Sequence, residues 1–133
     1  MELESLDTNA ILRLIVGDIK SQQQKVAELL CRRNIEYRLD SVAIVEVVFA
    51  LSRPPYNFSR LLVRRALLGI FKHLNIVYEN GIIENSLNDF VSHPKLSFVD
   101  CYLSNKAQAK TATPLWTFDK KLTNQSEHAK LIS

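Results

Sequence analysis

The chain has 133 residues, 47% of them hydrophobic and 23% charged, enough apolar material for the core of one domain, which excludes disorder as the main state. Three Gly and four Pro exclude a fibrous or low-complexity chain, and no apolar run approaches the ~20 residues of a membrane span. The 17 Lys and Arg against 14 Asp and Glu leave a net charge of +3, compatible with a polyanionic partner but not diagnostic of one.

In chain order, Leu3 to Leu6 is a short extended run, and Asp7, Thr8 and Asn9 are good N-cap residues before the helical periodicity of Ile11, Leu12, Leu14 and Ile15. Gly17 and Asp18 end that helix. A second helix is predicted from Ser21 to Arg33, with Val26, Ala27, Leu29 and Leu30 as its apolar stripe and Asn34 as its stop. Ile35, Tyr37 and Leu39 alternate with Glu36, Arg38 and Asp40, the period of a half-buried strand. From Ser41 to Ser52 the residues are apolar on every side except for Glu46, which predicts a buried helix. Pro54-Pro55 breaks the chain, and Asn57 or Ser59 caps a long helix to Leu74 whose apolar stripe, from Leu61 on, is wide enough to serve core and partner together.

Ile76 to Tyr78 is a short strand, Asn80-Gly81 a turn, and Ile82, Ile83, Leu87 and Phe90 mark a helix that ends near Pro94. A helix from Ser97 to Lys110 follows, then a strand from Pro114 to Phe118 that its aromatic content predicts to be buried, then a turn or helix capped by Asp119. The last ten residues carry no signal. Short strands separated by helices of ten or more residues predict an α/β fold with a mostly parallel sheet, in a single domain over residues 1–133 without linker or repeat. Cys31 and Cys101 cannot form a disulfide framework, and the acidic start at Glu2 and Glu4 is the opposite of a signal peptide's basic one, so a cytoplasmic protein with reduced thiols is expected.

Chemistry concentrates on four carboxylates. Asp7 and Asp119 each directly follow a predicted strand, and in open α/β sheets ligands collect at the carboxyl ends of strands; as single residues both read first as N-caps, and only the pair points to a site. Glu46 lies in the all-apolar helix, where an ionised carboxylate without a partner costs several kcal/mol, so it needs a compensating cation or Arg, unless the helix is rotated to let it reach solvent between Val42 and Ala50. Asp100 falls in the first turn of its helix, where the dipole favours negative charge. Oxygen ligands of this kind suit Mg²⁺ or Mn²⁺, whereas His73, His93 and His128 stand alone and give no zinc spacing.

Asp7-Thr8-Asn9 after the first strand, Glu46 in Val45-Glu46-Val47-Val48, Asp100 in Phe98-Val99-Asp100 and Thr117-Phe118-Asp119 resemble, in order and spacing, the PIN domain, and more narrowly the VapC-type toxins of toxin-antitoxin pairs. Each motif is only two to four residues long; the ordered set over essentially the whole chain carries the likeness. The resemblance implies a three-layer α/β/α fold with a short, mostly parallel central sheet. It also implies a homodimer, a cognate antitoxin, and an acidic pocket that binds Mg²⁺ or Mn²⁺ and cleaves single-stranded RNA. Carried over residue by residue, Asp7, Glu46, Asp100 and Asp119 match the four catalytic and metal-binding acids, with Asn9 and Thr117 as supports. Many relatives carry a further acid one helical turn before the third; here that position is Ser97, which puts a second metal site in doubt.

A four-acid pocket repels RNA unless its surroundings attract phosphate. Between Glu46 and Glu79 there is no acid, yet Arg53, Arg60, Arg64, Arg65 and Lys72 fall there, and Lys106, Lys110, Lys120 and Lys121 flank Asp119. Arg53, Arg60, Arg64 and Lys120 are the candidate nucleic-acid contacts; a solvated helix face or contact with a partner's acids explains the first group equally well. Tyr56 and Trp116 are aromatic enough to stack on bases, although Trp116 reads better as core, and Cys101 as packing. Taking the four candidate ligands out of the 14 acids leaves 17 basic against 10 acidic residues, a +7 scaffold around a −4 pocket. Two rivals stand beside a metal-dependent endoribonuclease. One is a PIN-like module that binds RNA or a partner without cutting; the other is a phosphoacceptor receiver, disfavoured because Asp7 is followed by Thr8-Asn9 and not by a second acid.

Overall fold

The computed structural model describes residues 2–73, 75–109 and 113–132. Leu74 and Lys110, expected at the ends of two helices, lie outside the described residues. The chain divides into two compact units, Met1–Glu79 and Asn80–Ser133.

The first unit runs β1 (Glu2–Ser5), α1 (Thr8–Val16), α2 (Lys20–Leu30), β2 (Ile35–Arg38), α3 (Ser41–Leu51), α4 (Arg60–Phe71) and β3 (Ile76–Val77). Its three strands form one parallel sheet in the order β1-β2-β3, with Glu2 opposite Ile35 and Tyr37 opposite Ile76. Parallel pairing needs a crossover between neighbouring strands, and the helices supply it. The helix ends follow local chemistry. The Asp7 carboxylate accepts from the Ala10 N–H to start α1, Ser59 accepts from Leu62 N–H to start α4, and Gly17 ends α1 at φ 67°, a conformation that favours glycine. A β-carbon on Gly17 would also approach the Gln23 amide to 2.8 Å.

Tyr37, Leu39, Ile44, Val47, Leu51, Val63 and Leu67 are all buried to within about 1% and make the core of this unit, each worth roughly 1.5–3 kcal/mol in removed apolar surface if a large side chain. The Tyr37 hydroxyl, carried into that core, is satisfied: it donates to the Leu29 carbonyl at 2.6 Å and accepts from Arg32 Nε at 2.8 Å. Arg32 reaches on to Glu4 at 2.5 Å, so the end of α2 is tied to both β1 and β2.

The second unit runs α5 (Ile82–Ser92), α6 (Phe98–Ala109), β4 (Leu115–Thr117), α7 (Lys120–Gln125) and β5 (Ala129–Leu131). α5 packs on α6 through Ile83, Leu87, Phe90, Phe98 and Cys101, with the Phe90 and Phe98 rings edge to face at 5.7 Å. β4 and β5 form a second parallel pair, Leu115 opposite Ala129. The α/β class with parallel sheets is therefore as expected. Among the described residues the pairing falls into two sheets rather than one, and no helix is long and apolar enough to cross a membrane.

Four local expectations are corrected. α3 is not buried on every side: Val42 is 73% and Phe49 61% exposed, and Glu46 shares their face. α2 ends at Leu30, short of Arg33, and buries none of its residues. β4 is not a buried strand, since Trp116 is 59% and Phe118 75% exposed. β5 forms in the tail that carried no sequence signal, stabilised by pairing with β4.

Candidate functional site

In the first unit the parallel sheet places the carboxyl ends of its three strands on one edge, and each end leads directly to an acid or through one residue to it: Asp7 after β1, Asp40 after β2, Glu79 after β3. The main-chain ladder continues past the strands, Leu6 N–H to the Arg38 carbonyl and Leu39 N–H to the Val77 carbonyl, so the edge is held rigidly up to these residues. Asp7 spends Oδ1 on the Ala10 N–H at 2.8 Å, at the positive end of α1. Thr8, the first residue of α1, donates its hydroxyl to Glu46 Oε2 at 2.8 Å, across 38 positions of sequence. That bond and the packing of α1 on α3 bring Glu46 to the start of α1, beside Asp7 in the chain. Asn9 is exposed in the same first turn.

Glu46 is thus an exposed carboxylate, so of the two alternatives left open by the sequence the rotated helix is found and the buried charge is not. The reason is the rotation of α3: Val42, Glu46 and Phe49 recur at the i, i+4, i+7 spacing of one helix face, and that face is the open one. Asp40 satisfies the same strand-then-acid rule that singles out Asp7, and sequence reasoning passed it over. It is distinguished by its partner, Arg38 Nε at 3.2 Å, while Glu79 accepts from the Ser41 hydroxyl at 2.5 Å.

In the second unit, Asp100 is the third residue of α6 and exchanges bonds with Ser97: Ser97 Oγ accepts from the Asp100 N–H at 3.1 Å, and Asp100 Oδ2 accepts from the Ser97 N–H at 3.4 Å. This reciprocal cap explains what Ser97 does at its position. Asp119 caps α7, its Oδ1 accepting from Lys121 N–H at 2.9 Å and Leu122 N–H at 3.4 Å. The Thr117 hydroxyl accepts from the Asp119 N–H at 3.0 Å. Asp7, Asp119, Asp100 and Glu46 each accept these hydrogen bonds through one carboxylate oxygen, and all four are hard oxygen donors of the type that Mg²⁺ and Mn²⁺ take. Among the described residues of either unit, no three His, Cys, Asp or Glu side chains are gathered as ligands.

The candidate nucleic-acid contacts differ among themselves. Arg53 is exposed, with its guanidinium 4.3 Å from the centre of the exposed Phe49 ring. Arg60 and Arg64 are half-buried on α4, and Lys120 is exposed directly after Asp119. Tyr56 is no open stacking platform: its hydroxyl accepts from Arg13 at 3.0 Å and donates to Asp18 at 3.3 Å, and it holds the Arg13 guanidinium above its ordinary value with help from Asp18. Trp116, expected in the core, is instead exposed.

A family model described as the PIN domain matches residues 5–127 of the chain. No curated protein matches it.

Proposed function

The chain belongs to the PIN domain family, generally nucleases, and from that premise we propose that it is a metal-dependent endoribonuclease acting on single-stranded RNA, the toxin of a toxin-antitoxin pair in the cytoplasm. We take residues 1–133 as one domain, a reading supported by the continuity of the family match across both compact units. The observation that carries the activity is the Thr8–Glu46 hydrogen bond, which sets the second acid against the helix that Asp7 caps.

In this proposal Asp7, Glu46, Asp100 and Asp119 supply carboxylate oxygens to Mg²⁺ or Mn²⁺. When bound, such a cation provides a nucleophile at neutral pH and neutralises charge that builds on the phosphate in the transition state. The chain's own contribution is positioning. Thr8 fixes the rotamer of Glu46, Ser97 that of Asp100, and Thr117 the backbone from which Asp119 projects. Asn9 supports the first acid, and Arg53, Arg60, Arg64 and Lys120 hold the RNA backbone. The partner readings, a homodimer and a cognate antitoxin, are supported by the exposed Leu61 and Leu62 of α4 and the exposed Val42 and Phe49 of α3.

The test is incubation of the purified protein with single-stranded RNA and Mn²⁺ or Mg²⁺, beside EDTA and the variants Asp7→Asn and Glu46→Gln. Cleavage is expected with either metal and lost in all three controls; cleavage that survives chelation and both substitutions overturns the assignment. A short upstream reading frame encoding a small DNA-binding protein is the expected mark of the toxin role, and its absence favours a solitary nuclease.

A further inference from the structure

The second unit contains a cavity of about 260 Å³ between α5, α6, α7 and the turn before β5, lined by neither Asp100 nor Asp119. We infer that this cavity receives one nucleobase of the RNA, and that it selects a base carrying an exocyclic amine (adenine, cytosine or guanine) over uracil. The inference rests on the reading of the chain as an RNA-cleaving PIN domain.

Three observations lead there. The first is size and charge. The volume falls just below the ~300–1,000 Å³ typical of small-molecule sites, room for one heterocycle and not for a nucleotide with its phosphate. Among the described residues no Lys or Arg lines the cavity, and Asp89 does, so a phosphate group is unwelcome. The second is the walls. Leu96 and Leu122 are buried to 3% exposure and give apolar surface for the faces of a flat ring, with the His128 imidazole at the border.

The third is the hydrogen-bonding balance. Gln125 lines the cavity, and its side-chain oxygen, shielded from solvent, has no hydrogen-bond partner among the described residues. Several polar groups around the cavity bond one another or the main chain. Both bonds from the Asn105 side-chain nitrogen are spent, on Asp89 Oδ2 at 2.8 Å and on the Cys101 carbonyl at 2.8 Å, and the Ser104 and Ser126 hydroxyls bond each other. A buried acceptor left over at a cavity that a carboxylate also lines is a costly arrangement unless a donor arrives. Adenine, cytosine and guanine bring an amine to such an acceptor pair. Uracil turns carbonyl oxygens toward it on either side of its single ring N–H.

Two measurements on the full chain in EDTA test this. In the first, cytidine, adenosine and uridine are titrated separately while the amide resonances of Gln125 and Leu122 are followed by NMR. Cytidine and adenosine are expected to saturate at concentrations about tenfold below uridine. Gln125→Leu should shrink that preference to within about twofold, whereas Gln125→Glu, which keeps an acceptor at the same place, should retain it. In the second, binding of a short labelled single-stranded RNA is measured by fluorescence anisotropy. Should the RNA bind while the nucleosides fail to discriminate, or discriminate equally well in Gln125→Leu, the cavity holds only water and this inference alone falls. Should no RNA bind at all, the nuclease reading falls and takes the inference with it.

Discussion

Glu46 is held from another element, by the hydroxyl of a residue 38 positions away, whereas Asp100 and Asp119 are held by groups within three positions of themselves. The contrast separates two ways of placing a functional acid. A carboxylate in a helix cap is positioned by the turn it begins, so its geometry survives wherever that turn forms. A carboxylate in mid-helix points wherever the helix is rotated, and only a contact from a neighbouring element fixes it. The locally held acids should therefore tolerate conservative exchange without structural cost, and the distantly held one should depend on its donor.

The sharpest way to break that contrast is Asp119→Asn. Asn caps a helix as well as Asp, so thermal stability should stay the same, while cleavage falls on the order of 10²–10³-fold because a neutral amide replaces an anionic ligand. Asp119→Ala removes the cap as well and should cost about 1 kcal/mol in urea unfolding in addition to the same loss of activity. A drop in stability for the Asn variant comparable to that of the Ala variant would show that Asp119 is not held in the way its bonds to Lys121 and Leu122 indicate.

Next in size is Thr8→Val, which keeps the shape of the side chain and deletes the donor to Glu46. Activity is expected to fall by about 10- to 100-fold, the usual effect of removing a group that orients a metal ligand, with restoration by Thr8→Ser. Full activity in Thr8→Val would mean that Glu46 needs no help from α1. Ser97→Ala addresses the locally held side. It removes one half of the reciprocal cap at Asp100, and a loss of about 1 kcal/mol in stability should exceed any effect on the cleavage rate.

The same distinction governs how much was legible in the sequence. Caps are written in a few adjacent residues, which is why Asp7 and Gly17 bound α1, Ser59 starts α4 and Asp119 starts α7 where their residue types indicate. Rotation is not written locally. An all-apolar segment such as Ser41 to Leu51 has no polar stripe to report which side faces out, so the sequence predicts Val42 and Phe49 to be buried and leaves Glu46 open between burial and solvent, and tertiary packing turns all three outward. Thr8 was visible as a capping residue, but its bond to Glu46 exists only once α1 lies on α3. β5 failed for a related reason: Ala129 to Leu131 has no strand pattern of its own and takes its conformation from pairing with β4. Trp116 and Phe118 were assigned inward on residue type alone, and residue type is a one-way guide, since large apolar side chains also lie at surfaces.

The smallest expected effect is at Arg53. Its guanidinium sits over the Phe49 ring, four positions earlier, and both groups are exposed. An exposed cation–ring contact is worth only about 0.5–1 kcal/mol, so it orients the charge more than it stabilises the fold. If Arg53 contacts an RNA phosphate, Arg53→Gln should lower the slope of log affinity against log salt by about 0.7, the release of one counterion from a single strand. Phe49→Ala removes the ring but not the charge, so the slope should persist while affinity weakens by a few-fold as the guanidinium loses its fixed position. The pair of variants thus distinguishes charge from placement at a residue held entirely by its own chain neighbour. An unchanged slope in Arg53→Gln would remove Arg53 from the RNA path and leave its cation–ring contact as a feature of the α3 surface alone.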